Sequence, residues 1–241
     1  PDLVKKAAET GIKFFGVSDH NTANGIRELY DEIARTGDDL GISIVPVSAV
    51  EITTNQGDLL IAKPGNYDPE FIKWANSWSD DRHKHGLAET IDTAVRSFDA
   101  IAVIVHPGEP WLSGVPLGLV KELQEKLDQK VLLNVGLEVH NWSTRLLPRR
   151  ARLRELMVSR LATSLNFARF GFSDFHHAWQ IPKQFTLIDA NSTTPEDFMV
   201  AVQQRRVSPN HGEPISPENW LRLVFTFATT HFQPPNLNGS K

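Results

Sequence analysis

Short apolar segments alternate along the chain with segments in which apolar residues recur at helical spacing. This alternation is typical of βα units arranged around a largely parallel sheet. The apolar segments predict seven strands, which cover residues 13–17, 44–50, 59–62, 101–105, 135–139, 168–172 and 185–188. We therefore expect an α/β barrel, a fold that commonly fills about 200–250 residues as one domain.

Capping residues mark the boundaries of the predicted helices. Asp68-Pro69 and Thr194-Pro195 each place a side-chain cap before a first-turn proline, so they predict helices that begin there. Gly11 and Gly37 predict the ends of two earlier helices. The helices bounded in this way alternate with the predicted strands, as a βα order requires.

The C-terminal region has a different pattern from the barrel segments. Residues 216–230 predict a strongly apolar helix, and residues 233–241 have the composition of a loose tail. Such a helix needs cover, either from the barrel or from a second copy of the chain in a homo-oligomer. We assign residues 1–207 to the barrel domain and residues 208–241 to a helix and tail that pack on it.

Composition narrows the classes of partner and ligand. The 241-residue chain has a formal net charge of -4, so neither nucleic acid nor an anionic membrane is indicated as a partner. It contains no cysteine, which leaves histidine and carboxylates as the strong metal ligands. No apolar run approaches the roughly 18 residues of a spanning helix, and no leader opens the chain, so we expect a cytoplasmic protein.

Residues that can bind a metal follow one predicted strand after another. In a parallel barrel the C-terminal ends of the strands share one face, so these residues would converge on one pocket. A single residue of this kind is more often an ordinary surface or core residue, but recurrence after five strands favours a metal site. The residues are Asp19, His20, Glu51, His106, Glu138, His140, Asp174 and His176.

The ligand types indicate a reaction. Imidazole and carboxylate ligands without thiolate suit Mn, Fe or Zn, and a carboxylate such as Glu51 can bridge two ions. Such ions lower the pKa of a shared water and stabilise the attacking and leaving oxygens of a phosphoryl displacement. The leading hypothesis is therefore hydrolysis of a phosphate ester, of a small molecule or a nucleotide, by a metal-activated water.

The ordered motifs resemble those of the PHP (polymerase and histidinol phosphatase) family. The similar segments are residues 17–22, Glu51-Ile52-Thr53-Thr54, His106-Pro107 and residues 171–176, and the resemblance extends over about residues 1–207. It implies a distorted TIM-like (β/α)7 barrel of PHP type with metal-dependent phosphoesterase activity.

The resemblance also implies roles for individual residues. It makes five residues ligands to two or three divalent ions, namely His20, Glu51, His106, Asp174 and His176. It places Asp19, Glu138 and His140 beside them, as groups that orient ligands or move protons during catalysis.

The chain departs from the family pattern at two places. The family opens with a His-x-His pair on a first strand that would precede Pro1, so we expect a barrel without that strand in this chain and an exposed sheet edge. Asp58 stands where many relatives have histidine, although it can still bind a hard ion. His83 and His85 form a His-x-His pair in a loop, and we interpret them as solvated.

An arginine-rich segment follows the predicted pocket and has two interpretations. It is either the solvated face of a helix that begins at Pro148, or it supplies Arg145 or Arg149 to bind the substrate phosphate. Helical spacing allows at most one or two of its side chains to face the pocket. Its arginines are Arg145, Arg149, Arg150, Arg152 and Arg154.

Two alternative functions stay open at the level of sequence. The barrel could have lost its metals and bind a partner or nucleic acid, as the missing first motif and Asp58 would allow. Alternatively, it could keep the metals and hydrolyse a C–N bond, as amidohydrolase-type barrels do. Ligand types overlap between these chemistries, and fold analogy alone does not choose.

Overall fold

The computed structural model describes residues 2–41, 43–81, 84–141, 148–172, 185–190 and 192–210. Its strands are β1 (Phe14–Phe15), β2 (Ser18–His20), β3 (Val45–Thr54), β4 (Gly57–Pro64), β5 (Ile101–Ile104), β6 (Val135–Asn141), β7 (Ala168–Phe172), β8 (Thr186–Ile188) and β9 (Val207–Pro209). Its α-helices are α1 (Asp2–Glu9), α2 (Ile26–Leu40), α3 (Pro69–Asp80), α4 (Leu87–Phe98), α5 (Leu117–Lys126), α6 (Gln129–Leu132), α7 (Pro148–Ser164) and α8 (Pro195–Gln203). A short 3-10 helix spans Pro110–Leu112.

The first seven strands form one curled, half-barrel sheet in the order β1-β3-β4-β5-β6-β7, with β2 also paired to β3. All neighbours are parallel except β4, which runs antiparallel to both β3 and β5. The prediction of a distorted TIM-like α/β barrel is confirmed. Within the described residues, no strand joins β1 to β7, so these two are the end strands of the sheet.

Two predicted elements differ from the structure. The strand predicted over residues 185–188 lies outside the main sheet and pairs antiparallel with β9. The helix predicted to end at Gly37 continues to Leu40 and ends at Gly41, whose φ of 63° is left-handed and whose N–H bonds to the Gly37 carbonyl. A glycine inside a helix costs only about 1 kcal/mol, whereas the left-handed turn that ends it strongly favours glycine.

Helix starts, in contrast, follow the predicted caps. The Asp68 side chain accepts hydrogen bonds from the N–H groups of Glu70 and Phe71 at the start of α3. The Thr194 hydroxyl accepts from the Asp197 N–H at the start of α8. Each cap satisfies N–H groups that lack a partner inside the helix, so the chain turns into a helix at these points. None of the described helices has the length and apolar character needed to cross a bilayer.

Alternating residues of the sheet build two separate apolar layers. On β3, Val50 and Ile52 pack toward the helices, while Val47 and Ala49 point to the inner side of the half-barrel. Full burial of such side chains stabilises the fold by about 1.5–3 kcal/mol each. The helix-facing layer fixes the curvature of the sheet, and the inner layer forms an apolar floor below the strand ends.

We expect Gly136→Ala to destabilise the protein, because an added Cβ on β6 would lie 2.3 Å from Cε2 of Phe170 on β7. Overpacking of this kind costs about 1–3 kcal/mol. Urea unfolding followed by circular dichroism measures the change. Gly118→Ala in α5, where nothing lies within 4 Å of the new Cβ, is the matched control and should be neutral or stabilising. Equal stabilities of the two variants would contradict the packing described here.

Candidate metal centre

Three side chains with metal-binding atoms meet at one end of the sheet. His20 ends β2 and pairs in parallel register with Glu51 on β3, and Asp58 lies at the start of β4. Their ligand atoms all lie within 4.8 Å of one another. The structure therefore brings His20 and Glu51 together, as the sequence predicted, and adds Asp58 to them.

Asp58 reaches this cluster because β4 runs against its neighbours. It pairs with Thr53, so the first residues of β4 lie beside the last residues of β3. The sequence pattern places ligands after strands, where parallel strands end, so it marked Asp58 as able to bind a hard ion but did not place it beside His20 and Glu51. Only Asn55 and Gln56 connect β3 to β4. A two-residue connection joins antiparallel strands in a hairpin, so this segment was the available indication that β4 is reversed.

The two carboxylates of the cluster are buried with oxygens that lack hydrogen bonds. Glu51 is 8% exposed and Asp58 is 4% exposed. Within the described part of the chain, Glu51 Oε1 and Asp58 Oδ1 have no hydrogen-bond partner. Burial, with Glu51 adding to it, raises the pKa of Asp58 to about 6, although a hydrogen bond from Thr53 acts in the opposite direction. Buried acceptors without partners are costly, so this pocket favours a positive charge.

A second histidine, His106, also lies near Glu51. Its Nε2 atom lies 3.7 Å from Glu51 Oε1, the same distance that separates Glu51 Oε1 from His20 Nδ1. These distances are too long for hydrogen bonds, and they leave the carboxylate oxygen between two imidazoles. One or two imidazoles with two carboxylates are a donor set that suits Mn, Fe or Zn. The residues present therefore fit a divalent ion.

The backbone around His106 is held in an uncommon conformation. Its φ of 48° lies in the left-handed region, which non-glycine residues adopt rarely. The following loop folds back closely, since a Cβ on Gly114 would lie 1.9 Å from the His106 carbonyl oxygen. The Glu109 N–H donates to the same carbonyl at 2.9 Å. This close approach fixes the direction in which the chain leaves β5.

Glu138 holds His106 from the neighbouring strand. Its Oε2 atom accepts the His106 N–H at 2.7 Å and lies 3.1 Å from His106 Nδ1. Its other oxygen accepts from the Asn141 amide at 2.9 Å. Glu138 is only 1% exposed, so these contacts are made away from water. The position of Glu138, predicted to be beside the ligands, is next to His106 and not within the Glu51 cluster.

A register shift on β6 separates His140 from Glu138. The pairing with β7 is irregular between these two residues, so His140 pairs with Gly171 and Asn141 with Phe172. As a result Asn141 returns to the side of Glu138 and His106, and His140 Nδ1 lies 3.0 Å from Glu155 Oε1 on α7. No motif at this point of the sequence indicates a bulge, so Asn141 was missed. The catalytic role of His140 stays a prediction.

The other predicted site residues have varied positions. The Asp19 carboxylate lies beside Gly25, the residue that precedes α2. His85 stacks on Trp78 of α3 with ring centroids 3.8 Å apart. Arg149 lies in the first turn of α7. Four of the candidate site residues lie outside the described residues, namely His83, Arg145, Asp174 and His176, and so do the predicted helix over residues 216–230 and the tail over residues 233–241.

The cluster borders a cavity of about 1080 Å³ on the inner side of the half-barrel. Its floor consists of apolar residues of the inner layer, such as Leu60 and Val103. Its polar lining includes Asp19, His20, Glu51, His106 and Glu138. A polar rim above an apolar floor is a common arrangement of small-molecule sites.

Comparison with solved structures identifies the architecture. The chain is similar to a two-domain protein from Bacteroides vulgatus ATCC 8482 that contains a predicted PHP-like metal-dependent phosphoesterase. That match has a TM-score of 0.58 at 18% identity, and it covers 93% of this chain and 64% of the other. The chain has a PHP-like fold. It spans less than two thirds of that larger protein.

Two further solved structures are similar to this chain. PsfC from Pseudomonas syringae PB-5123 matches with a TM-score of 0.51 at 16% identity, covering 96% of this chain and 88% of PsfC. A proposed metal-dependent phosphoesterase from Bifidobacterium adolescentis ATCC 15703 matches with a TM-score of 0.50 at 14% identity, covering 86% of this chain and 90% of that protein. No protein-family model and no curated protein matches the sequence. At these identities the likeness establishes the fold.

The raised pKa of Asp58 predicts a pH-dependent stability of the metal-free protein. The pKa of Asp58 is about 6 in the folded protein and 3.8 for an unperturbed carboxyl. At a pH well below 4 the group is protonated in both the folded and the unfolded chain, so it does not lower the free energy of unfolding. As the pH rises from about 4 to 6, the unfolded chain gains stability by ionising and the fold is destabilised. Asp58→Asn removes this penalty.

We therefore expect Asp58→Asn to stabilise the chelator-treated protein more at pH 8 than at pH 5, by about 1 kcal/mol in the free energy of unfolding. Urea titrations of both proteins at the two pH values measure this difference. A stabilisation that is the same at pH 5 and pH 8 would contradict the assigned pKa.

Proposed function

We propose that this protein is a metal-dependent hydrolase of phosphate esters. The observation that carries the proposal is the pair of buried carboxylates, Glu51 and Asp58, each with one oxygen that lacks a hydrogen bond among the described residues, and with His20 beside them. Burying two acidic groups in one place is unfavourable unless a cation binds there. The PHP-like fold and the resemblance in sequence support the same reading.

Glu51 would be the central ligand, because it lies between His20 and His106 and next to Asp58. By resemblance, Asp174 and His176 would add ligands, to give two or three ions of Mn, Fe or Zn. Bound ions would supply Lewis acidity toward the phosphoryl oxygens and a water of lowered pKa. The chain itself holds the ligands in place and excludes water from Glu51 and Asp58 by burial.

Other residues would bind the substrate and transfer protons. Asp19 lines the cavity next to His20, where its carboxylate could accept a proton during hydrolysis. Arg145 or Arg149 would bind the phosphate, since a guanidinium matches two phosphate oxygens at once. The cavity has room for the organic part of a phosphorylated small molecule or nucleotide.

Loss of a central ligand should abolish hydrolysis. We expect Glu51→Gln and His20→Ala, each reconstituted with Mn, to hydrolyse an aryl phosphate at least about 100-fold more slowly than the unmodified protein. The reason is that each removes charge or a donor that the ions need. Release of the phenol, followed by absorbance, measures the rate.

His85→Ala is the matched control, because His85 stacks on Trp78 of α3 and takes no part in the cluster. It should retain the unmodified rate. Unchanged turnover in both Glu51→Gln and His20→Ala would contradict the proposal.

The same preparations separate the alternatives. Less than one equivalent of bound transition metal together with no activity would favour a barrel that binds a partner or nucleic acid. Full metal content with hydrolysis of amides, but not of phosphate esters, would favour a C–N hydrolase. Elemental analysis and a substrate panel of both bond types distinguish these outcomes.

A further inference from the structure

Arg154 differs from its arginine neighbours on α7. Arg152 and Arg160 are exposed, as expected for a solvated helix face, but Arg154 is only 7% exposed. Arginine is almost never buried to this degree unless its guanidinium is paired. The hydrogen bonds and ion pairs of its guanidinium therefore indicate the role of this buried charge.

The guanidinium of Arg154 connects the ends of two strands. Nε donates to the Pro107 carbonyl at 3.3 Å, Nη1 to the Val139 carbonyl at 3.3 Å, and Nη2 to the Glu138 carbonyl at 3.1 Å. Pro107 directly follows His106 after β5, whereas Glu138 and Val139 belong to β6. One rigid, planar group thus sets the spacing between the segment that carries His106 and the strand that carries Glu138.

Arg154 also supplies positive charge to two buried carboxylates. Its Nη2 lies 3.6 Å from Glu138 Oε2, and its Nε lies 3.8 Å from Glu109 Oε1. Both glutamates are at most 5% exposed. At such distances and with so little water, a cation offsets the cost of burying the carboxylates.

Glu138 in turn contacts both the backbone and the ring of His106. It accepts the His106 N–H, and the same oxygen lies 3.1 Å from Nδ1 of the ring. Nδ1 lies 3.1 Å from both this carboxylate and the Asn141 amide nitrogen, and when Nδ1–H donates to the carboxylate, Nε2 keeps a lone pair. That Nε2 is the atom 3.7 Å from Glu51 Oε1, so the lone pair is available at the proposed metal site.

We propose that Arg154 is a positioning residue of the metal centre, which holds His106 in its ligating orientation through Glu138. The inference rests on the proposed function in one respect, since it takes His106 as a metal ligand. Arg154 acts on the site through its contacts to Pro107, Glu109, Glu138 and Val139. The arginine-rich segment thereby gains a function other than solvation or phosphate binding.

Arg205 provides a matched control within the same chain. Its guanidinium also donates to backbone carbonyls, at 2.7 Å to Asn166 and Leu133 and at 3.0 Å to Leu132 and Val202. The carbonyls of Leu132, Leu133 and Asn166 lie just before β6 and β7, at the opposite end of these strands from the metal centre, and Val202 belongs to α8. Loss of Arg205 should therefore reduce stability without altering the site.

The first experiment measures Mn binding by isothermal titration calorimetry in Arg154→Lys, Arg154→Met and Arg205→Met, with thermal unfolding of the metal-free proteins alongside. We expect both methionine variants to unfold at lower temperature. Mn affinity should fall about 10- to 100-fold in Arg154→Met, partly recover in Arg154→Lys, and stay within about 3-fold in Arg205→Met. Equal affinity losses in the two methionine variants would overturn the proposal.

The second experiment does not depend on metal binding. Amide hydrogen exchange of the metal-free protein reports the bond from the His106 N–H to Glu138. We expect Arg154→Met to lose at least about 10-fold protection at His106, relative to the buried amide of Val103 on β5, and Arg205→Met to lose none. Unchanged protection at His106 in Arg154→Met would overturn the positioning role, even if the protein binds Mn.

The two experiments also separate this inference from the proposed function. If the unmodified protein binds no Mn but Arg154→Met loses protection at His106, the proposed function fails and the role of Arg154 in orienting His106 stands. If Mn binds and Arg154→Met changes neither Mn affinity nor protection at His106, the positioning role of Arg154 fails and the proposed function is not affected.

Discussion

The burial of two carboxylates at the end of one hairpin is the constraint on which the site depends. Glu51 and Asp58 come together because β3 and β4 are antiparallel neighbours with Thr53 opposite Asp58. Both are nearly inaccessible to solvent, and an oxygen of each lacks a hydrogen bond within the described chain. Like charges in such a place raise the free energy of the fold, and a cation bound between them would offset that cost.

The neighbouring strands and loops place the other candidate ligands around this hairpin. β2 places His20 directly beside Glu51, and the loop after β5 turns His106 toward it through a left-handed residue. Behind His106, Glu138 on β6 and Arg154 on α7 form a buried polar layer. Satisfied networks of this kind favour one arrangement of the strand ends, because any shift would leave a buried polar group without its partner. The apolar floor of the half-barrel supports the same arrangement from below.

The sequence pattern predicted well those features that depend on local order or on parallel strand ends. The barrel class, the caps at Asp68 and Thr194, and the meeting of His20 with Glu51 all follow from periodicity and spacing. It did not predict that β4 is reversed, so Asp58, noted as able to bind a hard ion, was not placed beside His20 and Glu51. Strand direction depends on pairing across the sheet, and the periodicity of a single strand is the same either way.

Other differences have the same physical origin. The bulge between Glu138 and His140 brings Asn141 to the side of Glu138 and His106, because one extra residue reverses the side to which the following residues point. Arg154 belonged to a segment whose composition indicated a solvated face, and only the packing of α7 against β6 shows that it is buried. Tertiary contacts decide both cases. Asp174 and His176, which the resemblance names as ligands, lie outside the described residues, and their roles remain predictions.

An ion at the candidate metal centre can be located in anomalous difference maps from crystals of the protein grown with Mn. The data are recorded on the long-wavelength side and the short-wavelength side of the Mn absorption edge. We expect a peak that appears only above the edge energy and lies within ligand distance of His20, Glu51 and Asp58. A fully occupied Mn peak elsewhere in the molecule, with these three side chains arranged as here and without an ion, would contradict this expectation.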